Sequence, residues 1–401
     1  MKKEIQERIE SIKNNQLPKG YRRVKDIGIA PEEWTLGKLS DVIENVSRPV
    51  PKPKEPYWRL GIKSWAKGTF HAFVDDPETV NMDELYEVKE NDLIVNITFA
   101  WEHAIAIAKK EDEGLLVSHR FPTYVFKEGQ VPEYYQAVIT QRYFKDMLDH
   151  ISPGGAGRNR VLNRKDFLNL PCVIPSKKEQ DKMSEILAIC NKIIELKECL
   201  LKEKRRQKKW FLQQLFKNKK IQDGFSSTWE TVELSDVFDY IQPTKYLVSE
   251  DNYSDEYDIP VLTAGKTFVL GYTNETEGIF SDVPVVIFDD FTTDSKYVDF
   301  PFKAKSSAMK ILKIKEGYNI KFAFAALQNI RYTVGGHERH WISKFAPMTV
   351  EMPPLEIQNK IAEIINTFDS SIYCLEKELN YFEKKKKSLQ QLLLTGIVRT
   401  K

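Results

Sequence analysis

Pro175-Ser-Lys-Lys-Glu179-Gln180-Asp-Lys182-Met-Ser-Glu185-Ile186-Leu187 opens a stretch that the chain writes twice. It returns as Pro353-Pro-Leu-Glu356-Ile-Gln358-Asn-Lys360-Ile-Ala-Glu363-Ile364-Ile365. Both copies close on one phrase, Lys208-Lys209-Trp-Phe-Leu212-Gln213-Gln214-Leu215 and Lys385-Lys386-Lys-Ser-Leu389-Gln390-Gln391-Leu392, with one residue slipped between them. Proline stands at the start, where a missing N–H costs nothing. Neither run then meets Pro or Gly before Gly224 and Gly396. Met183, Leu187, Cys190, Ile194, Leu201, Phe211 and Leu215 recur at helical spacing in the first copy. Ile357, Ile361, Ile364, Phe368, Leu375, Phe382, Leu389 and Leu393 do so in the second. This is the mark of a coiled-coil seam. Lys197, Lys204 and Lys208 fall on the first seam and weaken its middle. Each helix makes a rod of about 57 Å with one apolar face, unstable alone. The economical reading packs the two copies on each other; the alternative packs each on its own globular segment.

The 401 residues suffice for two or three cores, and 41% hydrophobic with 29% charged content is ordinary for a folded, water-exposed chain. A net charge of +2 means that any nucleic-acid binding must come from local patches. No apolar run reaches membrane-spanning length, and Met1-Lys-Lys-Glu-Ile-Gln-Glu-Arg has no apolar core of a signal peptide. Cys172, Cys190, Cys199 and Cys374 are scattered without a Cys-x-x-Cys, which suggests a reducing cytoplasm and no structural zinc.

A second phrase is also duplicated. Trp34-Thr-Leu-Gly-Lys-Leu39-Ser40-Asp41-Val42 matches Trp229-Glu-Thr-Val-Glu-Leu234-Ser235-Asp236-Val237. The repeating unit is therefore a globular segment opened by Trp, closed by Pro and followed by a rod. The first segment is the longer. An amphipathic helix over 1–17, with Ile5, Ile9 and Ile12 on one face, precedes it, and 21–33 reads as a connector. Within the first segment Asp92–Ile97, Ala104–Ile107 and Thr123–Phe126 read as strands and Glu133–Leu148 as helix. Within the second, Ile259–Leu262, Val283–Phe288 and Met309–Ile314 read as strands, with Phe322–Leu327 open. Each segment ends in a Gly-rich polar loop: Gly154-Gly-Ala-Gly157-Arg158-Asn159-Arg160, then Gly335-Gly336-His337-Glu338-Arg339-His340. A duplicated frame with divergent middles fits recognition, since a duplicated enzyme is expected to keep the same reactive residues in both halves.

Taken together, the pattern resembles the specificity (S) subunits of type I restriction–modification enzymes. The resemblance rests on the duplicated architecture, on the helix openings Pro175…Glu179-Gln180 and Pro354-Leu355-Glu356-Ile357-Gln358, and on the closing Leu-Gln-Gln-Leu. Ile357 departs from the usual Glu-Gln pair. The openings Gly37-Lys-Leu39-Ser-Asp41 and Val232-Glu-Leu234-Ser-Asp236 also match. Ala100-Trp101-Glu102, Ser118-His119-Arg120-Phe121-Pro122 and Phe288-Asp289-Asp290-Phe291-Thr292 resemble phrases of particular recognition-domain classes.

The resemblance implies an α+β architecture: two globular mixed α/β target-recognition domains separated by two long helices packed as an antiparallel coiled coil, with a pseudo-twofold internal repeat. It divides the chain into an N-terminal helix and connector (1–33), recognition domain 1 (34–174), a central helix (175–217), recognition domain 2 (218–352) and a C-terminal helix (353–396). It implies a cytoplasmic, non-catalytic subunit in which each domain reads half of a bipartite double-stranded DNA target. Two methyltransferase (M) subunits bringing S-adenosylmethionine would dock on helices carrying Gln180, Glu185, Gln358 and Glu363. Restriction (R) subunits using ATP and Mg would join, and this chain would hold no cofactor of its own.

DNA contact is expected first from Arg158, Asn159 and Arg160 in one loop and His337, Arg339 and His340 in the other. They combine glycine freedom, donors and matching places in the two halves. His119, Arg120, Lys305 and Ser306 follow. The basic runs Lys202–Lys209 and Lys384–Lys387 lie toward rod C-termini, where the helix dipole favours cations. They read as solvated faces, with DNA contact as the alternative. A nuclease built on Asp76 with Glu87-Val-Lys89 has no counterpart in the second half, and a zinc site at His337 and His340 lacks further ligands nearby. The competing class is a coiled-coil adaptor whose globular segments bind protein. DNA binding that weakens with salt separates the two.

Overall fold

Two helices organise the chain, Lys177–Asn218 with 42 residues and Leu355–Leu394 with 40. At about 1.5 Å per residue each is about 60 Å long. The computed structural model describes residues 2–154, 160–218, 229–265, 267–333 and 339–400. Contacts divide the chain into two units, Met1–Leu196 with Asn380–Lys401, and Lys197–Leu379. This division cuts through both long helices, whereas the sequence division keeps them whole. Each globular segment thus shares a unit with one end of each rod.

In the first unit Met183 and Leu187 of one helix and Leu393 of the other lie in one buried cluster with Trp34, Tyr134 and Phe167. In the second unit Phe211, Leu215, Ile361 and Ile365 share a core with Phe322 and Trp341. Burying each such side chain contributes roughly 1.5–3 kcal/mol, which stabilises helices too weak to stand alone. At these ends residues of both helices share one buried cluster with a globular segment. Two of the three seam lysines are paired. Lys197 pairs with Glu378, Lys208 with Asp369, and Arg205 beside them with Glu376.

The globular segments repeat one sheet. In the first unit the antiparallel order is Ile105–Ile107, Leu93–Val95, Thr123–Phe126, Ile43–Val46. In the second it is Ser295–Val298, Val285–Asp289, Met309–Ile314, Phe238–Ile241. A second sheet follows the same plan. The hairpin Tyr57–Ile62 with Thr69–Val74 takes a short parallel strand, Leu116–Val117. The hairpin Ile259–Leu262 with Val269–Thr273 takes Lys303–Ala304. The first unit adds Pro49–Pro51 and Glu84–Glu87 to this sheet, which accounts for its greater length. Each domain closes on itself, Thr35–Lys38 pairing with Pro171–Ile174 and Glu230–Glu233 with Thr349–Met352. The closing strands stand directly before the rod prolines, so the duplicated Trp and Pro phrases flank the strand pair that closes each domain.

Three expectations need correction. The 21–33 connector is a β-hairpin, Tyr21–Val24 with Gly28–Pro31. The helix expected over 133–148 is two helices, Pro132–Ile139 and Arg142–His150. There the Thr140 hydroxyl and the Gln141 amide both donate to the Ala137 carbonyl, and Gln141 turns to extended backbone. Local side chains satisfy carbonyls that a continuing helix would have used. The amphipathic N-terminal helix is shorter than expected, Lys2–Lys13. The open stretch 322–327 lies in a helix, Ile320–Asn329.

The C-terminal segment docks on the N-terminal hairpin. Tyr21 donates its hydroxyl proton to the Gly396 carbonyl, and Arg8 donates to the Ile397 carbonyl at 2.9 Å. Gly396 has φ +67, and a Cβ there would come within 2.4 Å of Pro31 Cγ, so no other residue fits. Among the described residues no helix is long and apolar enough to cross a membrane.

Candidate nucleic-acid interface

The repeated Gln residues explain what the duplicated helix opening does. The Gln180 amide donates to the Pro175 carbonyl at 3.0 Å, and its oxygen accepts the Val131 N–H at 3.0 Å. The Gln358 amide donates to the Pro353 carbonyl at 2.8 Å, and its oxygen accepts the Asn319 N–H at 2.8 Å. Val131 and Asn319 are the N-cap residues of Pro132–Ile139 and Ile320–Asn329. Each Gln therefore pins the first turn of a rod to a helix of the recognition domain. Both are buried, 1% and 2% exposed, and each amide both donates and accepts. On the helices expected to carry partner docking, these two side chains are therefore out of a partner's reach. Glu185 and Glu363 are exposed.

In each frame the described end of the Gly-rich loop meets the tip of the central hairpin. In the first unit the central strand Leu93–Val95 runs into a turn over 96–104 and returns as Ile105–Ile107. Asn96 Oδ1 accepts the Thr98 N–H at 3.1 Å, closing an Asx turn. His103 adopts left-handed backbone, φ 65. Its buried ring places Nε2 2.6 Å from the Ile139 carbonyl. Burial holds its pKa below the usual range, so the neutral ring donates Nε2–H to that carbonyl. The Leu162 N–H donates to the Ile97 carbonyl at 2.9 Å, which brings the end of the Gly-rich loop onto this turn. Trp101 donates its indole N–H to the Thr98 carbonyl at 3.1 Å, and Arg160 stacks over its ring at 5.3 Å.

In the second unit the equivalent strand Val285–Asp289 turns over 290–294 and returns as Ser295–Val298. Asp289 Oδ1 accepts the Phe291 and Thr292 N–H groups at 2.8 and 2.9 Å. Thr293 is left-handed, φ 61. Asp290 beside it is 1% exposed and holds the end of the second Gly-rich loop. Its Oδ1 accepts the His340 and Trp341 N–H groups at 3.1 and 2.7 Å. Its Oδ2 lies 3.4 Å from Lys310 Nζ, which is 1% exposed and also donates to Gln242 Oε1 at 2.8 Å. A carboxylate this deeply buried persists because a cation and two donors offset its lost hydration.

The candidate residues fare differently. Arg158, Asn159 and His337 lie outside the described residues. Arg160 is a clasp: its guanidinium donates to the Ser152 and Asp149 carbonyls at 2.9 and 2.8 Å and pairs with the Asp149 carboxylate. His340 is 1% exposed, with Nδ1 2.8 Å from the Asp290 carbonyl, so it is corrected from a surface contact to a core residue. Arg339 is exposed. So are His119 and Arg120, with Arg120 donating to Thr98 Oγ1 at 3.3 Å on the same turn as Trp101. Lys305 pairs with Asp251 and lies over the Tyr253 ring. Ser306 accepts the Ala308 N–H at 3.2 Å in an exposed turn. Sequence reading missed the anchoring roles of Asn96, Asp290 and Lys310. The available signal was a pair of acids directly behind the apolar run Val285–Phe288. Among the described residues no group of three or more His, Cys, Asp or Glu is placed to hold a metal.

Two domains of one plan, each bringing the end of a polar loop onto the tip of its central hairpin, define a duplicated recognition scaffold. The profile of the type I restriction modification DNA specificity domain matches residues 31–204 and again 226–383. The chain belongs to that family, whose members are non-catalytic DNA-recognition subunits. It is 42% identical over 189 residues to the specificity subunit of the Escherichia coli type I restriction enzyme EcoR124I/EcoR124II, covering 44% of this chain and 46% of that protein. It thus spans about half the length of that relative. It is 23% identical over 416 residues to a putative type I restriction enzyme MjaX specificity subunit from Methanocaldococcus jannaschii, covering 94% and 96%. The type I restriction-modification system S subunit from M. genitalium shares the fold, with TM-score 0.59, 14% identity and coverage of 90% and 96%.

Proposed function

We propose that each recognition domain reads one half of a bipartite DNA target, and that the two long helices act as an antiparallel coiled coil setting the distance between the halves. The observation that carries this reading is the convergence in both units. The same frame brings the described end of a Gly-rich loop to the same hairpin tip, while the residues at the two tips differ. A shared scaffold with unlike tips suits two unlike half-sites. Base edges would be met from loop and tip, Arg120 and Arg339 among them, with phosphates met by the surrounding cations.

The partners in this reading are two methyltransferase subunits carrying S-adenosylmethionine, joined by restriction subunits that use ATP and Mg. An exposed apolar stripe on the first rod supports docking. Ile189 and Leu196 are 61% and 57% exposed and share a face with Glu185 at helical spacing. Such a stripe suits a partner helix laid along it. The chain itself supplies recognition and spacing, and the chemistry belongs to the partners.

Sequencing the methylated bases of cells that express this chain with its methyltransferase subunit tests the reading. The expected motif has two specified parts around an unspecified spacer, and it disappears when this chain is deleted. A contiguous motif, or methylation that persists without this chain, contradicts it.

A further inference from the structure

The second unit contains a cleft of about 660 Å³ between the first rod, the end of helix Ile320–Asn329 and the second rod. Its cations do not balance. Arg205 is paired with Glu376 and Lys208 with Asp369. Lys209 and Arg331 also line the cleft, are exposed, and make no ion pair or hydrogen bond among the described residues. Amide side chains that can donate, Gln213 and Gln328 among them, stand beside them. The helix that ends at Asn329 presents its negative dipole end here, about half a charge. Two full, uncommitted cations outweigh that partial charge. In sequence Arg331 lies just ahead of the Gly335–His340 loop, so the chain runs from the cleft into the recognition loop.

We propose that this cleft is a phosphate-binding track for the DNA backbone, with Lys209 and Arg331 as its contacts. The inference rests on the DNA-recognition reading above and adds to it a sequence-independent site outside the loops. Cations with neighbouring amide donors are the chemistry that holds phosphodiester oxygens. Such contacts position the duplex and carry no base information. An acidic segment of a partner protein could use the same cations. The polar donors and the adjoining recognition loop favour the nucleic acid.

The test uses the full chain assembled with its methyltransferase subunits. The double variant Lys209→Ala/Arg331→Ala removes two exposed side chains, and an unchanged Tm checks that folding is intact. Affinity for a target duplex and for a scrambled duplex is measured across a series of NaCl concentrations. Each lost phosphate contact lowers the slope of log K against log salt by about 0.9. The expected result is a slope shallower by about two, equal weakening on both duplexes and an unchanged methylated motif. Lys209→Glu, which reverses one charge, is expected to weaken both duplexes further than Lys209→Ala. An unchanged slope with DNA binding intact overturns the track. So does weaker methyltransferase-subunit binding with an unchanged DNA slope, which would assign the cleft to an acidic protein partner. If the parental assembly binds no DNA at any salt concentration, the recognition reading itself fails and the track with it.

Discussion

Asp290→Ala is expected to destabilise the second recognition domain by about 3–5 kcal/mol, the cost of breaking a buried ion pair. Asp290 and Lys310 are each 1% exposed. Removing the carboxylate leaves the Lys310 ammonium buried with no counterion and the Trp341 N–H without its acceptor, while the His340 N–H keeps only the Asp290 backbone carbonyl at 3.0 Å. The end of the Gly-rich loop loses the side-chain part of its anchor in the same step and keeps the two contacts of His340 to the backbone carbonyl of residue 290. In assemblies that remain folded, the second half of the methylated motif should relax while the first half is kept. Asp290→Asn separates the two effects. Its amide oxygen can still accept both N–H groups, so the loop should hold its place while Lys310 stays uncompensated. The double variant Asp290→Asn/Lys310→Met should then recover most of the stability, because an apolar side chain replaces the buried charge. Calorimetric unfolding of these variants checks the first claim and the recovered motif the second. A Tm for Asp290→Ala equal to the parent's would show that the buried pair contributes nothing.

Arg399→Ala is expected to destabilise the first unit by about 3 kcal/mol, near the lower end of the same range because the pair keeps some contact with water. Arg399 lies 2.9 Å from carboxylate oxygens of both Glu33 and Glu179 and sits over the Trp34 ring. Glu179 is 4% exposed, and its other oxygen accepts the Trp34 indole N–H at 3.0 Å. Without Arg399 a carboxylate stays buried beside an indole. Cys172 reports the consequence. It is 3% exposed, and burial, with a smaller contribution from the nearby Asp41 charge, pushes its thiol pKa up to about 12. It should therefore be alkylated only when this unit opens. A loss of about 3 kcal/mol raises the open population, and with it the labelling rate, by about a hundredfold. Cys199 and Cys374 are exposed and should react quickly in parent and variant alike. The second repeat supplies the compensating change. There Ile357 replaces the Glu and packs with an apolar core. Glu179→Ile with Arg399→Leu should accordingly restore slow labelling of Cys172. A labelling rate unaffected by Arg399→Ala would contradict the clasp.

The duplication and the two rods are legible in the sequence because they depend on local signals. Proline opens each rod, apolar residues recur at helical spacing, and Trp begins each globular segment. The matching sheet orders are not legible, since the middles share little sequence and their pairings join residues far apart. The site divides along the same line. The Gly-rich loops and the phrases around Trp101 and Asp290 stand out as stretches, but their convergence depends on strand pairing. Gln180 and Gln358 draw attention because they repeat, yet repetition alone does not distinguish a docking surface from a buried pin. His340 looks like a polar loop residue until Asp290, fifty residues earlier, is placed against it. The partner of Glu179 likewise lies far off, at Arg399, whereas Ile357 at the matching place packs against an apolar core.

Exchange of one recognition domain tests the central claim most directly. Residues 34–174 would be replaced by the equivalent segment of a relative that reads a different target, with both rods kept. The pinning contacts of Gln180 should be kept by choosing a donor whose segment has the same N-cap position as Val131. The chimera is expressed with the methyltransferase subunit, and the methylated motif is sequenced. If each domain reads its own half-site across a spacer set by the rods, one half of the motif changes to the donor's, and the other half and the spacer length stay as they were. A folded, active chimera in which both halves change, or in which neither does, would contradict that account.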